Sequence, residues 1–174
     1  IGEYDESMLD NNAYEEGIKG QITFPYNLNQ LSMRGRNERD YSLLMRTPWG
    51  NTFTKDMAIA AIVNMELGKK EDTDMLYVGF NATKYLAESY TTWSVEMEDM
   101  YLRLDQDIAH LLDFLDTEIG LENVLVYLTS THGVAENPEL LKDKKKKLTN
   151  KILTLRTGKV IGCFYWRIFS LHVV

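Results

Sequence analysis

Apolar positions along the chain repeat with two different periods. Over residues 54–68, Met57, Ala58, Ala61, Ile62 and Met65 recur at helical spacing and predict a helix. Thr54 is placed to cap it, Asp56 suits its first turn, and Gly68 suits its stop. Residues 47–51 carry Pro48 and Gly50 and read as the turn before it. A longer stripe, Met97, Tyr101, Leu104, Ile108, Leu111, Leu112 and Leu115, predicts a second helix over 95–118, closed by Gly120. Its other face carries Asp105, Asp107, Asp113 and Asp116, expected in solvent, with His110 at the core edge. A third helix is predicted from Pro138 to about residue 155, with the basic run 142–147 on its solvated side.

Between the helices the pattern loses its period. Residues 74–80 and 124–128 are nearly continuous apolar runs, which is how strands read when both faces are buried. The order helix, strand, helix, strand, helix predicts an α/β fold with a mainly parallel sheet flanked by helices. Ligands bind such sheets beyond the carboxyl ends of the strands, so residues 81–88 and 129–134 are the candidate site segments. The chain divides into an acidic lead-in with loops (1–40), an α/β core (41–156) and a divergent tail (157–174). Residues 21–26 are expected to form a short edge strand ended by Pro25, and 160–166 a strand within the tail.

Composition removes several classes of function. A chain of 174 residues with 44% hydrophobic content suffices for one domain. A net charge of -7 leaves no basic surplus for a nucleic-acid backbone. The single cysteine, Cys163, excludes an intrachain disulfide and a cysteine zinc site. Residues 160–174 are apolar but interrupted by Arg167 and His172, too short and polar to span a bilayer. No signal-peptide pattern is visible, which leaves location open.

Four stretches carry a family likeness. They are Thr47-Pro-Trp-Gly-Asn-Thr-Phe-Thr-Lys-Asp, Gly79-Phe-Asn-Ala-Thr, Val95-Glu-Met-Glu-Asp-Met-Tyr-Leu-Arg-Leu-Asp-Gln-Asp, and Val126-Tyr-Leu-Thr-Ser-Thr-His-Gly-Val-Ala. In this order and at these distances, the chain resembles the alkaline phosphatase superfamily over roughly residues 40–156. The likeness is to the bacterial branch related to type I phosphodiesterases and nucleotide pyrophosphatases. It implies part of an alkaline phosphatase-like domain and phosphoryl transfer by a Thr or Ser nucleophile between two zinc ions.

The resemblance also implies a set of metal ligands. After the first strand the family has an Asp and, four residues on, a His; after the second it has an Asp-His pair followed by Gly. In this chain Lys84, Glu88 and Thr131 stand at three of those positions, and His132 alone matches. A lysine ammonium has no lone pair and brings positive charge to a cation's place. Lys84 and Glu88 are expected to pair with each other instead. The family's nucleophile and N-terminal metal-binding Asp have no counterpart in this sequence, so no catalytic residue is assigned. Thr129, Ser130 and Thr131 are read as framework.

The expectation is therefore a degenerate, catalytically inactive superfamily member with a residual binding or structural role, holding no cofactor as it stands. The alternative is a metal-dependent phosphatase or phosphodiesterase whose nucleophile-bearing half lies outside this chain. A third reading is an interaction module whose tail adds an edge strand or joins a second copy. Expected partners are a missing N-terminal half or another copy of the chain, not nucleic acid, and the family analogy implies a periplasmic or exported setting.

Overall fold

The computed structural model describes residues 9–36, 38–130, 133, 135–143 and 168–173. In chain order these form α1 (Leu28–Leu31), a 3-10 segment (Tyr41–Arg46), α2 (Pro48–Met65), β1 (Met75–Val78), α3 (Ala82–Ala87) and α4 (Val95–Glu118). A 3-10 turn (Leu121–Asn123), β2 (Val124–Thr129), α5 (Pro138–Asp143) and β3 (Ile168–Val173) follow. No helix among the described residues is long and apolar enough to cross a membrane.

The helix α2 begins six residues before the expected Thr54 cap. Thr47 is its N-cap and Pro48 its first residue, because a proline lacks only an N–H that the first turn leaves unpaired anyway. The Pro-Trp-Gly-Asn stretch is thus helix, not turn. The helix ends where Glu66 turns left-handed, at φ 53°. By contrast, α4 has the expected bounds, and the Ser94 side chain accepts the Met97 N–H at 3.2 Å as its cap. Its buried side, Met97, Met100, Leu104, Leu111 and Leu115, forms the spine of the core. It packs on Ile18, Ala82, Leu86 and Tyr90 at one end and on Ala58, Val78 and Phe80 in the middle. At the far end it meets Ile62 and Leu67.

The strands correct two expectations. The sheet order is β1-β3-β2, and both ladders are antiparallel. β1 and β2 consequently run in the same direction but do not pair with each other, so the described pairs are not those of a mainly parallel sheet. The cause is the C-terminal strand, which takes the middle position, not the expected edge. The strand expected over 160–166 lies outside the described residues, as does residue 144 onward in the third helix.

Burial on both strand faces is also not met. Leu76 and Val78 pack on the helices, but Met75 and Tyr77 are 67% and 54% exposed. In β2, Leu125, Val126, Tyr127 and Leu128 are all exposed. The helices α2 and α4 cover one side of β1, and nothing described covers the other.

The acidic lead-in is held in place from residue 9 onward. Ile18 is buried in the core, the Glu16 and Gly17 N–H groups both donate to the Ser89 carbonyl, and Asp10 accepts from the Phe24 N–H. Residues 21–26 form no strand. The Gln21 side-chain amide donates to the carbonyls of Thr23 and Pro25 and folds the segment back on itself.

Candidate functional site

Strand register fixes where the two candidate segments emerge. Val78 and Leu128 both pair with Phe169, so β1 and β2 end at the same side of the sheet. Residues 79–81 lead from β1 into α3, and Thr129 and Ser130 follow β2. The backbone therefore brings the two segments to one end, as the sequence implies. Thr131 and His132 lie outside the described residues.

The helix α3, which carries Lys84, is anchored by Asn51 of α2. Asn51 is 1% exposed; its Oδ1 accepts the Ala82 N–H at 3.2 Å, and its Nδ2 donates to Thr83 Oγ1 and Met100 Sδ, each at 3.3 Å. Close approach is possible because Gly50 lacks a Cβ, which would sit 2.5 Å from the Leu44 carbonyl oxygen and 3.2 Å from Ala82 Cβ. Asn51 belongs to a stretch the family likeness singled out, but its anchoring role was not legible from the sequence. Asn51→Ala is expected to cost about 1–3 kcal/mol by leaving the buried Ala82 N–H unpaired. Urea unfolding measures the loss, and hydrogen exchange at the α3 amides should rise more than at α4; equal protection in both helices would contradict the anchoring role.

Lys84 is half-buried, with Nζ 5.4 Å from the centre of the Tyr85 ring. Glu88 caps the end of α3 through its N–H to the Lys84 carbonyl, 3.2 Å, and its side chain is exposed. The expected Lys84–Glu88 pair is not among the described ion pairs. Lys placed before Glu is the weaker helical orientation, and the Tyr85 ring offers the ammonium another contact. A protonated lysine amine has no lone pair to offer a zinc ion, so Lys84 does not fit as a ligand of a two-zinc site. Among the described residues, no group of three or more His, Cys, Asp or Glu could hold a metal.

A groove of about 490 Å³ opens beside α3. Among the described residues its walls include Glu15, Glu16, Glu88, Glu136 and Glu139, against one cation, Lys142. Thr92 donates to Glu136 at 2.9 Å and Thr91 to Glu15 at 3.0 Å. Burial raises the Glu15 carboxyl above its ordinary range, although the Thr91 hydroxyl works in the other direction. A phosphate entering this groove meets like charge, about 1–3 kcal/mol per pair near 5 Å between water and a protein surface.

Two buried polar clusters lie elsewhere, and the sequence reading missed both. Asp107, expected in solvent, is buried: its carboxylate lies 3.4 Å from Lys55 Nζ and accepts from Thr52 Oγ1 at 2.8 Å. Lys55 Nζ also lies 3.1 Å from Asp56 and 3.1 Å from His110 Nδ1, which places His110 at this cluster. The second cluster is at the base of an aromatic-lined pocket of about 210 Å³. There Tyr26 donates to Glu96 Oε1 at 2.6 Å, Tyr90 lies 3.0 Å from the Tyr26 hydroxyl, and Glu96 Oε2 is buried with no hydrogen-bond partner among the described residues. Burial pushes Glu96 up to about 7 and Tyr90 up to about 12, and raises Tyr26 as well.

Comparison with known proteins adds what geometry alone does not. A family model described as type I phosphodiesterase / nucleotide pyrophosphatase matches residues 12–167, reaching further into the lead-in and the tail than the motifs do. A protein of Myroides odoratus named as a calcium-transporting ATPase is 42% identical over 149 residues, 83% of this chain and 26% of its own length. The alkaline phosphatase PafA of Elizabethkingia meningoseptica is 39% identical over 139 residues, 79% of this chain and 25% of its own. The crystal structure of wild-type PafA superposes with a TM-score of 0.70 at 33% identity, covering 81% of this chain and 27% of that one. The chain thus spans about a quarter of the length of the relatives it matches.

Proposed function

The chain belongs to the type I phosphodiesterase / nucleotide pyrophosphatase family of the alkaline phosphatase superfamily, and from that premise we propose that it is a degenerate member without two-metal hydrolysis of its own. What carries the reading is Lys84 at a metal-ligand position on an anchored α3, beside a groove whose described walls hold five carboxylates and one lysine. A divalent cation finds an ammonium at the site, and a phosphate finds acids beside it. The remaining role is binding or scaffolding. Its setting is the exported one of the enzymes it resembles, and β1 and β2 are the strands that would lie parallel within the larger sheet.

Metal analysis and turnover test this. The purified chain is expected to hold no stoichiometric zinc and to leave an aryl phosphate and an aryl phosphodiester intact. Turnover that a chelator abolishes overturns the proposal.

A second reading is favoured by the coverage of about a quarter of each relative. Here the nucleophile and the other ligands come from outside this chain, and activity appears only on reconstitution. The triple change Lys84→Asp, Glu88→His and Thr131→Asp is then expected to bring zinc binding to the reconstituted domain, read by isothermal calorimetry. If zinc binding stays undetectable with the upstream half present, lost ligands are not the reason the site fails.

A further inference from the structure

The aromatic-lined pocket of about 210 Å³ stands apart from the strand-end segments: neither Lys84 nor Glu88 lines it. Three separate parts of the chain build it. The lead-in brings Phe24 and Tyr26, whose rings meet edge to face at 5.0 Å. The start of α2 brings Trp49, which is 51% exposed. The stretch from α3 into α4 brings Tyr90 and Glu96, 6% and 5% exposed. Aromatic rings from all three parts therefore surround one carboxyl group. That group is held but not satisfied. Tyr26 donates to Oε1 at 2.6 Å, and Oε2 is buried with no partner among the described residues. A buried carboxylate with an open oxygen is costly until a donor reaches it.

The charges nearby select the donor. Asp10 and Glu15 add negative charge at Glu96. The two arginines of the pocket wall are turned to other groups. Arg103 Nε meets both Asp99 oxygens at 3.0 Å, and its guanidinium lies 5.5 Å from the centre of the Trp49 ring. Arg46 donates to the Ser89 hydroxyl at 3.4 Å. Neither is a described ion-pair partner of Glu96. We propose that this pocket binds a small organic ammonium ion, which donates an N–H to Glu96 and lays its apolar body against the aromatic wall. Ring faces attract a cation held within about 6 Å, and an apolar wall with a convergent polar group is the usual build of a small-ligand site. A neutral alcohol of the same shape fills the space but leaves the carboxylate uncompensated, and an anion is repelled by it. The inference holds whether or not the chain hydrolyses phosphate esters.

Isothermal titration of the full chain with benzylamine near pH 8 tests it, because there Glu96 is ionised and an alkylamine is protonated. Benzylamine is expected to saturate with a Kd below about 1 mM, and benzyl alcohol to bind at least about tenfold more weakly. Glu96→Gln removes a buried charge and keeps the shape, so it is expected to fold. It should lose at least about tenfold in benzylamine affinity and stay within about twofold of the parent for benzyl alcohol. Trp49→Ala takes away one wall and is expected to weaken benzylamine about threefold. Benzylamine that fails to saturate, binds no better than the alcohol, or binds either variant as it binds the parent overturns the proposal. Acetophenone binding more tightly than benzylamine overturns it too, since a protonated Glu96 would then be donating to a carbonyl.

Discussion

Lys55→Met is expected to destabilise the folded chain by about 3–5 kcal/mol, the cost of leaving one member of a buried ion pair alone. The Lys55 and Asp107 side chains are 8% and 10% exposed, so water does little to screen either. Methionine has nearly the same length and fills the same space, so packing changes little and charge changes fully. Asp107 would keep only the Thr52 hydroxyl at 2.8 Å. Burial alone would pull the lysine ammonium down, but the hydrogen bond and charge of Asp56 and the charge of Asp107 outweigh it and hold its pKa above the ordinary lysine range. A group raised in the fold contributes stability below its unfolded pKa, so the Lys55 contribution is fully present at neutral pH and is lost as pH rises through its folded value. Removing both charges with Lys55→Met and Asp107→Leu is expected to recover at least half of the loss, since a buried pair replaced by apolar groups is often near neutral. The midpoints of urea unfolding read both effects. A single variant within about 0.5 kcal/mol of the parent would mean that the pair is effectively solvated.

Glu96→Gln is expected to stabilise the chain in a pH-dependent way, by up to about 3 kcal/mol above pH 7 and hardly at all near pH 4.5. Burial in the aromatic-lined pocket raises Glu96 from 4.5 to about 7. Between these values the native state holds a proton that the unfolded chain has released. Stability therefore falls as pH rises across that window, and the loss is complete above 7. Glutamine is neutral throughout and still accepts from the Tyr26 hydroxyl, which is 2.6 Å away in the parent. Its amide also occupies the unpaired Oε2 position, so part of the gain is offset. The difference in unfolding free energy between variant and parent, at pH 5 and at pH 8, cancels the other titrating groups. A difference that does not grow with pH would show that Glu96 is ionised at no cost.

Helix α4 was legible at close to its full length, because a long apolar stripe at constant spacing admits one reading. The strands β1 and β2 were legible in place and type, since unbroken apolar runs bounded by turn residues have few alternatives. The start of α2 was not, because Pro and Gly signal turns locally and a helix N-terminus equally well. Asn51, Lys55, Glu96 and Asp107 were missed for a shared reason. A polar residue reads as solvated in one dimension, and its burial depends on partners 31 to 70 positions away.

By itself the sequence determined the α/β class and the family, because periodicity and motif are properties of neighbours along a chain. The tertiary structure decided the rest. It set β3 between β1 and β2 in antiparallel register, buried the Lys55–Asp107 pair, and left Met75, Tyr77, Leu125 and Tyr127 exposed. Each depends on which distant segments meet, and pairing across space follows from the balance of burial and desolvation over the whole fold.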